Sequence, residues 1–89
     1  MKRSNRLLLD KLMKSNLNDP EIVTGIFDIA RNENDVKLGR QVREIAAYRA
    51  KMNAKGKSGK AFMELYWSIM LWLARSGDFD SFLIYLEKN

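Results

Sequence analysis

Basic side chains crowd the middle of this chain of 89 residues. Residues 36–60 hold eight lysines and arginines but a single acid, Glu44, whereas the two flanking parts of the chain are neutral or slightly acidic. A local positive excess indicates a surface that binds a polyanion, because each neutralised phosphate releases condensed counterions. The alternative is the solvated face of an ordinary helix. The residues predicted to contact nucleic-acid phosphates are Lys37, Arg40, Arg43, Lys51, Lys55, Lys57 and Lys60.

Catalytic groups are scarce in the chain. It has no cysteine and no histidine, which excludes thiolate nucleophiles, thiolate metal sites, imidazole bases and Ser-His-Asp triads. Asp78 and Asp80 could hold Mg²⁺ as a pair of carboxylates, but acids in a first helical turn are more simply explained by the helix dipole. We therefore predict a protein that is not an enzyme and that holds no metal or cofactor.

The segment 55–60, KGKSGK, superficially resembles a phosphate-binding loop. A Walker A motif would need a glycine at the position of Ala54 and a serine or threonine at the position of Ala61, and no strand precedes the segment. We predict a mobile basic linker instead, which either touches backbone phosphates or simply joins two helices.

Apolar residues recur three or four positions apart along most of the chain, which predicts helices rather than strands. Polar residues that cap helices, and a proline suited to a first helical position, mark where these helices start. The predicted helices begin at the cap Ser4 (ending near Ser15), at Asp19-Pro20, at Asn34 or Asp35 (residues 36–54), near residue 60 (60–75) and at Asp78.

The third predicted helix has an apolar side and a basic side. At 100° per residue, four large apolar side chains share an arc of about 80°, and the basic residues share an arc of about 120° elsewhere on the helix. Arg49 falls within the apolar arc, where it either reaches past the edge of the core or pairs with an acid such as Asp28. The predicted core residues are Leu38, Val42, Ile45 and Met52. The alanines expected among the basic residues, where they let a phosphate approach closely, are Ala47, Ala50 and Ala54.

The fourth predicted helix is apolar on nearly every side. Such a helix lies at the centre of a core or against another subunit, and a chain this short has few elements with which to cover it. We predict that it is central to the core, and that this helix and the one after it supply any protein interface. The predicted interface residues are Phe62, Tyr66, Trp67, Met70, Trp72, Phe79, Phe82 and Tyr85.

Two stretches of the chain resemble a known family. Residues 64–72 (ELYWSIMLW) and 78–89 (DFDSFLIYLEKN) resemble the N-terminal region that precedes the ATPase in large terminase subunits of tailed phages of Gram-positive hosts, and residues 29–49 look similar to the same region. The resemblance implies a helical module of phage DNA packaging, placed before the motor that moves DNA into the capsid. The chain carries neither the Walker motifs nor the nuclease carboxylates of that family, so no catalytic residue is carried over.

These observations predict a single all-α domain over residues 1–89, a compact bundle of four to five short helices. The expected function is a DNA-associated module of phage packaging whose ligand is nucleic acid, most simply duplex DNA. The alternative is a protein-interaction module, either a homo-oligomer or an adaptor for a packaging protein, a motor or a host enzyme. The apolar run 7–9 is too short for a signal sequence, and we expect no membrane contact and a location in the cytoplasm of the host cell.

Overall fold

Four helices account for most of the computed structural model, which describes residues 1–76 together with Leu83, Leu86 and Glu87. They are α1 (Arg3–Met13), α2 (Pro20–Asn32), α3 (Val36–Met52) and α4 (Lys57–Arg75). No strand occurs in this part of the chain, and the predicted all-α bundle is confirmed. Most of the fifth predicted helix, including its expected start at Asp78, lies outside the described residues.

The starts of α2 and α3 follow from local chemistry. The Asp19 side chain accepts a hydrogen bond from the backbone N–H of Glu21 (3.0 Å), and Pro20 occupies the first helical position, where no N–H is needed. In the same way, the Asp35 carboxylate accepts the backbone N–H of Leu38 (3.0 Å). Both predicted starts are confirmed, and Asp35 rather than Asn34 is the cap of α3.

Asn34 instead ends α2 and turns the chain toward α3. Its φ of 51° lies in the left-handed region, which asparagine tolerates better than most residues. The backbone N–H of Asn34 donates to the carbonyl of Arg31 (3.1 Å), and that of Asp35 donates to the carbonyl of Ala30 (2.8 Å). This pair of bonds is the Schellman motif, so the connection between α2 and α3 is a tight, fully hydrogen-bonded turn.

The start of α1 differs from the prediction. Ser4 lies inside the helix, and the cap position belongs to Lys2, whose side chain makes no capping bond. Glu33, the residue that follows α2, holds this end of α1 instead, because its Oε1 receives both the backbone N–H of Lys2 and the side-chain amide of Asn5, each at 2.8 Å. A carboxylate 31 residues away in sequence therefore ties the start of α1 to the end of α2. We call this pair of bonds the Glu33 clamp.

The core is formed by α2, α3 and α4, and α1 contributes no fully buried residue. Helix α4 packs against both α2 and α3, but it is not surrounded by the fold as predicted, because α2 is the helix that contacts all three others and one side of α4 is exposed. Leu9 and Leu12 of α1 pack partly buried against this core from the side of α2. The fully buried large side chains are Val23, Ile26, Val42, Phe62, Ile69, Met70 and Leu73.

Helix α3 turns a different side to the core than its large apolar residues predict. Leu38 and Val42 are buried as expected, but Ile45 is only partly covered and Met52 is 65% exposed. The centre of the buried arc is displaced by roughly 70° from the predicted one. The small residues that complete it are Gly39, Ala46 and Ala50, so the expectation that Ala50 lies among the basic residues is wrong.

This side of α3 carries small residues because α3 and α4 approach each other closely. A Cβ atom on Gly39 would lie 2.4 Å from Cζ3 of Trp72, and one on Gly59 would lie 2.0 Å from the backbone carbonyl oxygen of Asn53. Both distances are far below van der Waals contact, so neither position has room for a side chain. We call this contact the α3–α4 seam.

The basic segment 55–60 is mostly helical. The chain turns at residues 53–56, where the backbone N–H of Gly56 donates to the carbonyl of Asn53 (3.0 Å), and α4 begins at Lys57. The predicted linker is therefore wrong for its second half. Because Gly59 is buried against the last turn of α3, the first turn of α4 packs against the rest of the fold.

Substitution of Gly59 by alanine tests the α3–α4 seam. Because the new methyl group would meet a backbone oxygen that cannot rotate away, we expect Gly59→Ala to lower the free energy of unfolding by about 2 kcal/mol or more. Gly25→Ala in α2 is the matched control. Its methyl group meets only the flexible Leu12 side chain, at 3.2 Å, and we expect its free energy of unfolding within about 1 kcal/mol of wild type. Urea unfolding measures both, and equal stability of the two variants would contradict the close approach.

The Glu33 clamp predicts a pH dependence for the docking of α1. The hydrogen bonds from Asn5 and Lys2 hold the pKa of Glu33 below its ordinary value of 4.5. A carboxyl with a lowered folded-state pKa stabilises the fold above pH 4.5, and this contribution is lost as the pH falls through the folded-state value. We expect the Asn5 side-chain amide signals in NMR spectra to shift over that range below pH 4.5, and to lose this transition in Glu33→Gln. If the variant showed the same transition, a group other than Glu33 would be responsible for it.

Candidate nucleic-acid interface

The seven predicted phosphate-binding residues lie on α3, on the turn after it and on the first turn of α4. Six of their side chains are exposed, and Arg43 is partly buried. We call the six exposed residues the basic surface: Lys37, Arg40, Lys51, Lys55, Lys57 and Lys60.

The α3 part of the basic surface forms one row. Lys37, Arg40 and Lys51 lie within an arc of about 60° when each residue advances by 100°, on the side of α3 opposite the seam. The 14 positions from Lys37 to Lys51 correspond to about 21 Å along the helix axis. A row of this length can follow several successive phosphates of a nucleic-acid strand.

Arg43 stands apart from this row. Its side chain is 18% exposed, and its Nε lies 3.4 Å from Oε1 of the neighbouring Glu44. Glu44 itself is 74% exposed and shares the face of Lys37 and Lys51. The contact turns the guanidinium of Arg43 toward the one acid of the region, so Arg43 is a weaker candidate for phosphate contact than the sequence predicts.

Part of the basic surface lines a shallow cavity of about 410 Å³ at the turn. Lys51, Lys55 and Lys57 line it together with Ser58 and the backbone of the turn. The cavity lies at the start of α4, where the helix dipole presents its positive end and Gly56 offers no capping side chain. The side-chain charges and the helix dipole thus attract an anion to the same place.

Tyr48 is a residue of this face that the sequence argument missed. Its side chain is 59% exposed, and it lies three residues before Lys51 on the same side of α3. The helical wheel contained the signal, since Tyr48 falls outside the apolar stripe that was assigned to the core.

Arg49 lies at the edge of the core, as one of its two predicted roles requires. Its Nε is buried and makes no hydrogen bond within the described residues, while its guanidinium carbon lies 5.8 Å from the centre of the Tyr48 ring. The other expected partner, Asp28, pairs with Arg31 at 2.5 Å instead.

Most of the described residues that were predicted to form a protein interface are used by the fold itself. Phe62, Tyr66 and Met70 are buried in the core, with Tyr66 the most exposed of them at 8%. Trp72 is partly buried and meets Phe27 edge to face, with ring centres 5.8 Å apart. The predicted residues Phe79, Phe82 and Tyr85 lie outside the described part of the chain.

Trp67 is the exception, because 43% of it is exposed. Met63 and Leu71, four residues before and after it, are exposed to a similar extent. Residues four apart on a helix lie on one face, so the three side chains form an apolar line along the outside of α4. We call this line the outer stripe.

Other kinds of site find no support in the described residues. They contain no group of three or more acids that could hold a metal ion together, and none of their helices is long and apolar enough to cross a membrane. The possible carboxylate pair, Asp78 and Asp80, lies outside this part of the chain.

Comparison of the chain with protein-family models, with curated proteins and with solved structures finds no match. The basic surface and the outer stripe are therefore the features of this chain that bear on its function.

Proposed function

We propose that this chain is a non-enzymatic nucleic-acid-binding module that contacts DNA phosphates through the basic surface. The observation that carries the proposal is the placement of six exposed cations along one row of α3, around the adjoining cavity and, for Lys60, on the first turn of α4, with Glu44 as the one acid of the segment 36–60. Solvation alone does not require cations to be segregated from acids, because charges of both signs interspersed keep a helix equally soluble.

Phosphate contacts of this kind position a protein on nucleic acid without reading its sequence. We accordingly propose weak sequence preference, with duplex DNA as the first ligand to test. We propose that such binding is used in DNA packaging. The resemblance of residues 64–72 to the N-terminal region of phage terminase large subunits implies this process.

Neutralising the basic surface tests the proposal through the salt dependence of binding. If all six cations meet phosphates, a plot of log affinity against log salt concentration has a slope of about −5. We expect a variant with four of them changed to glutamine to retain a slope of about −2 and to bind much more weakly at low salt. The changed residues are Lys51, Lys55, Lys57 and Lys60. Fluorescence anisotropy with a labelled 20-base-pair duplex gives both quantities.

A second variant separates the basic surface from the total charge. It changes four cations of the N-terminal region to glutamine and so has the same net charge as the first variant. These residues are Arg3, Arg6, Lys11 and Lys14. We expect this control to keep the wild-type slope. Equal loss of binding in both variants would show that net charge alone explains the change in affinity. No binding by the wild type at low salt would refute the proposed function.

The outer stripe supports a second candidate function, self-association. Three large apolar side chains in line on the longest helix present more contiguous apolar surface than scattered exposed residues do. A second copy of the chain would cover the stripe by placing its own α4 against it.

Trp67→Gln tests self-association. We expect sedimentation of the wild type to show dimers as the concentration rises from about 10 μM to about 1 mM, and the variant to remain a monomer. Leu7→Gln is the control, because Leu7 is at least as exposed but lies on α1. A wild-type chain that stays monomeric over the whole range would exclude this candidate.

A further inference from the structure

We propose that Tyr48 is a base-stacking residue, and that the basic surface therefore prefers single-stranded nucleic acid, whose bases are open to contact, over duplex DNA. This inference rests on the proposed function, since the cations of the basic surface would hold the strand that Tyr48 stacks upon.

The fold itself does not use Tyr48 for packing. Tyr66 shows what a structural tyrosine looks like in this chain, since it is buried in the core, whereas more than half of Tyr48 is open to solvent. An exposed aromatic ring is available to a flat ligand, and every nucleobase offers such a face.

The exposed face of α3 has two edges with different chemistry. Arg40 and Lys51 lie on one edge, and Tyr48 and Met52 lie on the other. The centres of these two pairs are about 80° to 100° apart around the helix axis. Tyr48 and Met52 are four residues apart, so their side chains are neighbours, and both are exposed. A single strand has the same division, with phosphates on one side and the apolar faces of its bases on the other.

A duplex cannot use both edges together. Its bases are stacked on one another and present only their edges in the grooves, so the Tyr48 ring has no base face to meet. The lysines and arginines would still attract the phosphates of a duplex. Stacking therefore adds to the affinity for a single strand and adds little to the affinity for a duplex.

Arg49 prepares the ring for this role. Its guanidinium carbon, 5.8 Å from the ring centre, lies within the range of a cation–π contact, and its Nε is buried. A ring held in this way loses less conformational freedom when a base stacks on it than a freely rotating side chain does.

The test compares binding of fluorescent dT20, of rU20 and of a mixed-sequence 20-base-pair duplex at one low salt concentration. The proteins are the full wild-type chain, Tyr48→Ala, Tyr48→Leu and Tyr48→Phe. We expect the alanine and leucine variants to bind dT20 at least ~5-fold more weakly, and to bind the duplex within about two-fold of wild type. Tyr48→Phe, which keeps the ring, retains the affinity for dT20. The rU20 arm shows whether the preference extends from DNA to RNA.

A structural readout accompanies the affinities. Addition of dT20 should move the NMR signals of the Tyr48 ring protons upfield, because a stacked base shields them, whereas the duplex should leave them in place. Far-UV circular dichroism and urea unfolding confirm that each variant folds as the wild type does.

Two results would overturn the inference in different ways. If the wild type binds both ligands and the loss of the ring weakens them equally or not at all, Tyr48 does not stack and the proposed function stands. If the wild type binds neither ligand at low salt, the proposed function fails and the inference fails with it.

Discussion

The close approach of α3 and α4 is the constraint on which the rest of the structure depends. Gly39 and Gly59 leave no room for a side chain, and buried Ala46 and Ala50 share this side of α3 with Gly39. Because only small residues fit there, the long side chains of α3 must leave on the far side of the helix. The row of cations is thus a geometric consequence of how the helix packs, in addition to being a property of composition.

Local interactions explain the parts of the fold that the sequence predicted well. Asp19, Pro20 and Asp35 act within three residues of their own positions, so their effect on helix starts is independent of the rest of the chain. The predicted cap at Ser4 is wrong because α1 already begins at Arg3, where Glu33, the residue after α2, binds the preceding Lys2 backbone and the Asn5 side chain. A single sequence contains no signal for a contact that spans 31 residues.

The candidate site likewise has one part that the sequence predicts and another part that it does not. Charged side chains are rarely buried without a partner, so the exposure of six of the seven predicted cations follows from their residue types. The rotation of α3 was misjudged, because size and hydrophobicity were weighed and the space needed by Trp72 was not. Met52 was consequently assigned to the core, and Tyr48 was not considered for the surface.

The attachment of α1 sets the order in which the fold can come apart. This helix buries no residue completely, and among the four described helices it contacts α2 alone, through Leu9 and Leu12 and through the Glu33 clamp. Its release would leave the hydrophobic core of the other three helices intact, so we expect α1 to open at a lower free energy than the α3–α4 seam. A population of molecules with α1 detached therefore exists at equilibrium, and in those molecules the backbone amides of α1 exchange with solvent while the α3–α4 seam remains closed.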